Sequence, residues 1–390
     1  MSADIEIVEC TTPQQRDEFI FFQWVPYQDS KYKKYWVPPL ISERRDFYNK
    51  AKHPFHKHAE VAMFLAKRNG QTVGTIYAIE NYKHNEFHDE KIGMFGGFEM
   101  INDQAVADAL LDKASEWCKA RGLTEIRGPF NFSTNEECGL LIDAFDDTPR
   151  PLMTYNPTYY QGLLEQAGFT KAMDLLAYTL EVKDIQKGVE ALPAKLKRVT
   201  DMLMKRNEIS IRKINMKRLD DEIALLKVVY NSAWEKNWGF VPMTDEEFEH
   251  LANGLKPVLD PDLIFVVEAK GKPIGFGLTL PDVNVPLLHA HPSPKTPDLL
   301  TQIQFFANFK LRRSLMRYVR VIALGVLKEY RLTGVDGLLY RRTAEEALKK
   351  GYNIGEFSWI LETNAPMRNA LEGMGAKVYK TYRIYERPIL

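Results

Sequence analysis

The chain is short of several things that would have announced a function. It has only three cysteines, Cys10, Cys118 and Cys138, odd in number and far apart. That excludes a disulfide scaffold and fits a reducing compartment. It has no net charge, since 52 Lys and Arg face 52 Asp and Glu. A nucleic-acid binder usually carries a basic excess, so no nucleic-acid partner is expected. No apolar run reaches the roughly 20 residues that span a bilayer. The start, MSADIEIVEC, lacks a basic region followed by an apolar stretch. The expectation is a cytoplasmic protein without membrane association. Histidine is scarce as well, with 8 in all. Three of them, His53, His56 and His58 in HPFHKH, are loosely spaced, and no cysteine or carboxylate pair stands nearby to complete a metal site. No metal is expected.

The chain does carry a repeated order of elements. A length of 390 residues is more than one ordinary core holds, so two domains is the starting expectation. DIEIVEC alternates like a strand, and Thr12-Pro13 is a helix start. AEVAMFLAKRNGQTVGTIYAIE reads as a hairpin turned by Asn69-Gly70. KIGMFGGFEMI is a strand, and DQAVADALLDKASEWCKARG is an amphipathic helix ended by Gly122. TEIRGPFNF is a strand. NPTYYQGLLEQAGF is a short helix with Asn156 as cap, and LLAYTLEV closes. The second half runs through the same series. EISIRKI opens it, DLIFVVEAKGKPIGFGLTLP is a hairpin turned at Lys270-Gly271, and VRVIALGVL is a strand. The helix GVDGLLYRRTAEEALKKG, the strand IGEFSWIL and a helix capped by Asn364 complete it. Ile5 matches Ile209, Gly74 matches Gly275, Asn156 matches Asn364 and Gly168 matches Gly375. A repeat this long means two related domains, not a solenoid. The expected division is 1–182, a helical linker 183–206, and 207–390. An insertion at 281–317 interrupts the second half and is expected at the edge of its cleft.

This order resembles the GNAT N-acetyltransferase superfamily, and the whole chain resembles two such domains in tandem. The fold class implied is α/β (α+β with a mixed sheet), as two tandem GNAT-like acyl-CoA N-acyltransferase domains. In that family the fourth strand splays from the fifth, and the pantetheine arm of acyl-CoA fills the gap. The turn after the fourth strand, Arg/Gln-x-x-Gly-x-Gly/Ala, wraps the pyrophosphate. The match here is Arg331-Leu332-Thr333-Gly334-Val335-Asp336. Elementary physics agrees, because free N–H groups at a helix start and the helix dipole both favour an anion. Asp336 departs from the pattern, for a carboxylate repels a pyrophosphate unless it points elsewhere. The resemblance therefore implies acetyl-CoA or another acyl-CoA as co-substrate, held by Arg331 to Asp336, Val326 and Asn364. Asn364 is also expected to cap its helix. The first half's equivalent turn, GMFGGFEMINDQAV, lacks the pattern and offers Glu99 and Asp103 instead. The N-terminal domain is thus read as having lost its cofactor site.

Amine acylation needs a base for the incoming ammonium, polarisation of the thioester carbonyl and an acid for the thiolate. The resemblance gives polarisation to a backbone N–H on the fourth strand, at Val326 or its neighbour. The family's usual acid is a tyrosine four places before the closing glycine. Leu371 and Leu164 stand there instead. Glu362 is the candidate base. AWEKNWGFVPMT contributes Glu235, Asn237 and Trp238, and RGPFNFSTNEECGLL contributes Asn131 and Glu136, as candidate substrate contacts. The partner expected is a small-molecule amine acceptor. Two other classes stay open: a catalytically silent ligand-binding or interaction protein, and an aminoacyl-tRNA-dependent peptidyl transferase.

Overall fold

The computed structural model describes residues 4–389 apart from 184–186, 188–189, 191 and 206–207. Part of the expected linker 183–206 lies outside the described residues. Its described part includes the helix Ala194–Met204. The chain divides into two compact units. Unit 1 is Met1–Leu175, Pro286–Asn308 and Lys380–Leu390; unit 2 is Leu176–Val285 and Phe309–Tyr379. Six helices matter below: α1 (Gln104–Lys119), α2 (Ala194–Met204), α3 (Leu219–Trp234), α4 (Asp298–Leu311), α5 (Val335–Lys349) and α6 (Ala365–Gly373).

In unit 1 the strands are β1 (Ile5–Glu9), β2 (Ala59–Arg68), β3 (Gln71–Asn81), β4 (Ile92–Met100), β5 (Glu125–Gly128) and β6 (Leu140–Leu141). β1 to β4 pair antiparallel in sequence order, and β4 pairs parallel with β5. Asn69 and Gly70 both hold positive φ, 52° and 76°, which matches the right-handed twist of a two-residue hairpin. α1 covers this sheet with Val106, Leu110 and Ala114 against Ile76, Ala78 and Phe95. Each such side chain contributes about 1.5–3 kcal/mol on full burial.

β7 (Thr170–Glu181) leaves unit 1 at Leu175 and continues in unit 2. Unit 2 then holds β8 (Ile209–Lys213), β9 (Ile264–Ala269), β10 (Lys272–Pro281), β11 (Tyr318–Val326) and β12 (Ile354–Leu361). The pairing repeats that of unit 1, with β8 to β11 antiparallel and β11 parallel to β12. Its hairpin turns at Lys270 and Gly271, with φ of 51° and 76°. α5 packs Val335, Leu338 and Leu339 on one face of the sheet, and α3 packs Leu226 and Val229 on the other. The last strand, β13 (Lys377–Pro388), starts in unit 2 and ends in unit 1. There it pairs with β5 and β6.

The repeat extends to fine detail. Gly168 and Gly375 both sit in left-handed backbone, at φ of 83° and 91°. The fourth strand of each unit carries a bulge near the matching position. Two expectations are corrected. Asn156 does not cap a helix; its side chain bonds both the N–H and the carbonyl of Leu141, and the helix begins at Tyr160. The insertion expected at the edge of unit 2's cleft groups, over Pro286–Asn308, with unit 1. Its ties are Trp24 to the Pro292 carbonyl, Arg45 to Asp298, and Gln302 to Ser42.

Candidate functional site

In unit 2, β11 and β12 share four Cα pairs, from Tyr318↔Ile354 to Val321↔Phe357. Pairing stops there, although β11 runs on to Val326 and β12 to Leu361. The bulge lies at the point of parting. Ala323 faces Leu278 and Val321 faces Thr279, so Ile322 is the extra residue. A bulge bends its strand and re-aims the residues beyond it. Past that point, the side of β11 that faced β12 has no ladder partner on β12. Against the paired stretch of the two strands lies an apolar cleft lined by Val319, Val321, Ile354, Phe357, Tyr340 and Leu196 among others, with no charged side chain among its described lining residues.

The opposite face at the same point is charged. Strand alternation turns Arg320 away from Val319 and Val321. Arg320 Nε lies 3.4 Å from Glu356 Oε2 and donates to Ser358 Oγ at 3.1 Å; Nη2 donates to the Ser358 carbonyl at 3.3 Å. The guanidinium sits 5.2 Å from the centre of the Trp359 ring. The Tyr379 hydroxyl donates to Glu356 Oε1 at 3.4 Å. Arg320 is 3% exposed and Glu356 0%. Charges this deep persist only when paired.

The predicted cofactor turn comes after β11. Gly334 holds φ at 96°, and Leu338 N–H bonds its carbonyl, so α5 opens with the N–H groups of Val335, Asp336 and Gly337 outside its ladder. Arg331 does not reach toward them. Its Nε donates to the Val326 carbonyl at 3.4 Å and its Nη2 to the Ala233 carbonyl at 3.0 Å. Thr333 Oγ1 donates to the Tyr330 carbonyl, and Leu332 stands exposed at φ 63°. Asp336 is the acidic residue of the first turn, and it complements the helix dipole from within. α2 flanks this turn; a Cβ on Gly334 would come within 2.9 Å of Val199. Val326 ends β11, with its side chain in the core beside Val335 and Leu338.

Arg331 also brings the turn to the end of α3, where Glu235, Asn237 and Trp238 lie. Glu235 is exposed at the helix C-cap, Asn237 N–H bonds the Trp234 carbonyl, and Trp238 is half-buried. Glu362 lies one residue past β12, and its carbonyl accepts from Arg368 Nη1 at 2.8 Å. Asn364 caps α6 by accepting from Met367 N–H at 3.2 Å. Leu371 and Leu164 are fully buried core residues.

Asn131 and Glu136 belong to unit 1, in a different setting. There the space beside the bulge is filled. Phe130 N–H bonds the Phe95 carbonyl at 2.8 Å, and the Tyr77 hydroxyl donates to the Phe130 carbonyl at 2.8 Å and to Asn131 Oδ1 at 2.9 Å. Any Cβ on Gly96 would overlap the Phe130 oxygen. Asn131 Nδ2 donates to Glu137 Oε2 at 2.8 Å, which Arg44 Nη2 meets at 3.0 Å. Glu136 Oε1 lies 3.2 Å from His53 Nε2. Burial pushes His56 down to about 4, helped by His53. Glu99 accepts from the Tyr160 hydroxyl at 2.7 Å and from Tyr27 at 3.1 Å. Burial pushes its carboxyl up to about 8, although the two phenols and Arg44 pull the other way.

Arg320 and Glu356, and in unit 1 Arg44 and Tyr77, were not singled out by the sequence reading. One signal was available: an arginine inside the otherwise apolar run VRVIALGVL. A charge in a buried strand needs a partner, and its parallel neighbour supplies it.

No family profile matches the sequence. Two curated proteins are similar along nearly all of it. Protein YghO of Escherichia coli K12 is 35% identical over 358 residues, 91% of this chain and 88% of that one. The bacterial ceramide synthase of Caulobacter vibrioides is 34% identical over 398 residues, 100% of this chain and 98% of that one. Among solved structures, a tandem GNAT protein from the clavulanic acid biosynthesis pathway aligns at TM-score 0.57 and 10% identity, over 99% of both chains. A GCN5-related N-acetyltransferase from Sphaerobacter thermophilus aligns at 0.52 and 14%, over 98% of this chain and 96% of that one. The chain belongs to the family of YghO and the bacterial ceramide synthase, and it carries the tandem fold of the GNAT superfamily.

Proposed function

We propose that the chain is an N-acyltransferase that takes an acyl group from a CoA thioester and passes it to the amine of a long-chain amino alcohol. The observation that carries this reading is the parting of β11 and β12, together with an uncharged apolar cleft against their paired stretch. A gap between parallel strands admits an extended arm, and an apolar floor suits an alkyl chain better than an acetyl group. The relative named as a ceramide synthase supports the acceptor class, since a ceramide is an amide of a long-chain amino alcohol. The reading assigns the donor to the C-terminal half, 207–390, and a substrate-shaping role to the N-terminal half, 1–182.

In this reading the released N–H groups of β11 beyond Ile322 point at the thioester oxygen and stabilise the negative charge that grows there. The amine nitrogen attacks the carbonyl carbon, the C–S bond breaks, and CoA leaves as a thiolate. Glu362 accepts the proton that the amine loses, and solvent returns one to the thiolate. The start of α5 holds the pyrophosphate, with Asp336 turned aside. Glu235, Asn237 and Trp238 border the acceptor.

The test is thiol release from acetyl-CoA and palmitoyl-CoA, with and without sphinganine, together with mass detection of the amide. Amine-dependent release that is faster with palmitoyl-CoA is the expected result. Release that ignores the amine, or that is equally fast with acetyl-CoA, would remove the lipid acceptor or the long-chain donor from the reading.

A further inference from the structure

The outer face of α4 is apolar where a surface helix should be polar. Its inner face is already used: Thr301 and Phe305 are buried, and Asp298 and Gln302 tie it to Arg45 and Ser42. A helix packed on one side usually turns charged residues outward. Here Leu299 is 70% exposed, Ile303 58% and Phe306 48%. These positions succeed one another at steps of four and three, so they form a single stripe along the helix. Leu300 flanks that stripe, and Leu311, at 79%, ends the helix. Fourteen large apolar side chains are exposed among the described residues, and six of them fall between 299 and 315. Scattered apolar residues on a surface are ordinary; a contiguous stripe of them marks a docking face.

The charge around the stripe selects the partner. Lys295 precedes α4, Lys310 continues the stripe one turn after Phe306, and Arg312 and Arg313 come next. Arg313 also meets Asp260 at 3.4 Å. The one carboxylate on α4 is Asp298, and Arg45 holds it. Thus the face shows leucine, isoleucine and phenylalanine rimmed by cations, with its own acid tied to Arg45, which Asp17 shares. An uncharged protein face would match the apolar stripe alone. A bilayer bearing anionic headgroups matches both parts, since apolar side chains enter the acyl boundary while Lys and Arg stay at the phosphates.

We propose that α4 is a membrane-docking helix that seats this protein on an anionic phospholipid surface through Leu299, Ile303 and Phe306. The proposal rests on the surface alone and stands or falls apart from the acyl-transfer reading. It also reverses the expectation, drawn from composition, of a protein without membrane association.

The experiment is co-sedimentation of the full chain with vesicles, one set of phosphatidylcholine and one with about 30 mol% phosphatidylglycerol. The wild type is expected to sediment with the anionic set and much less with the neutral one. Ile303→Ser with Phe306→Ser should lower the partition coefficient by about tenfold or more. Lys310→Glu with Arg312→Glu should erase the preference for phosphatidylglycerol. All four residues are exposed, and a thermal melt checks that each variant is folded. Variants that sediment like the wild type overturn the proposal, as does a wild type that ignores both vesicle sets. Light scattering adds one more decisive outcome. If the serine variant turns a dimer into a monomer and no form binds vesicles, a second copy of the chain covers the face instead.

Discussion

Unit 1 and unit 2 each place a bulge on the fourth strand and then treat the space beside it differently. In unit 1 the backbone of Phe130 closes it, pinned by Phe95 and by the Tyr77 hydroxyl. Gly96 is needed there because no side chain fits against that carbonyl. In unit 2 the equivalent strands separate after Val321↔Phe357, and an apolar cleft lies against the stretch that stays paired. The two frames are alike, so it is the filling of the gap that separates a closed half from an open one. Function lives in such local differences, not in the fold.

The comparison can be tested from its strongest point downward. Arg320→Ala in unit 2 strands Glu356 in a fully buried position, and should cost about 3–5 kcal/mol in denaturant unfolding. A loss under about 1 kcal/mol would show that the pair does not hold the parting strands. In unit 1, Gly96→Ala forces a methyl group onto the Phe130 oxygen, and should destabilise by about 3 kcal/mol. By contrast Gly277→Ala in unit 2 meets only Leu339 at 3.6 Å and should be nearly silent. If both alanine variants melt together, the Phe130 carbonyl does not constrain Gly96 as the contact implies.

The third test uses pH. Glu99 has a folded-state value of about 8 against an ordinary 4.5, so the folded chain keeps a proton that the unfolded chain has released between those limits. Stability is therefore greatest below the lower limit, falls as pH rises toward about 8, and levels off above it. The slope approaches about 1.4 kcal/mol per pH unit where one proton is fully at stake. Glu99→Gln should remove that slope; chemical denaturation at several pH values reads it. The smallest effect is expected at the start of α5. Asp336→Asn removes a negative charge from the helix pole and should tighten CoA binding about two- to fivefold by calorimetry. An unchanged affinity would move the pyrophosphate away from this turn. Gly334 is a poor site for that test, because its positive φ and the closeness of Val199 make any side chain a folding problem first.

Periodicity and turn residues made much of the frame legible. Asn69-Gly70 and Lys270-Gly271 identified both hairpins because few residues accept positive φ in sequence. Gly168 and Gly375 marked matching helix ends for the same reason. Asn156 misled, because a capping residue beside a proline looks the same whether it bonds a helix start or a neighbouring strand. The site was less legible. The turn at 331–336 stood out by its glycine, but the direction of Arg331 depends on the Ala233 carbonyl, nearly a hundred residues earlier. Arg320 with Glu356, and Arg44 with Glu137, are pairs set by strand register and loop path, and neither leaves a local pattern.

The division of β7 and β13 between the units bears on the order in which the protein is made. Unit 1 includes Lys380–Leu390, and its β5 and β6 pair with the final strand. A ribosome emits those residues long after Leu175. At about 5–20 residues per second, the N-terminal unit waits roughly 10–40 s between leaving Leu175 behind and receiving the strand that completes its sheet. For that interval β5 presents an unpaired edge, and a chain truncated before β13 would never cover it.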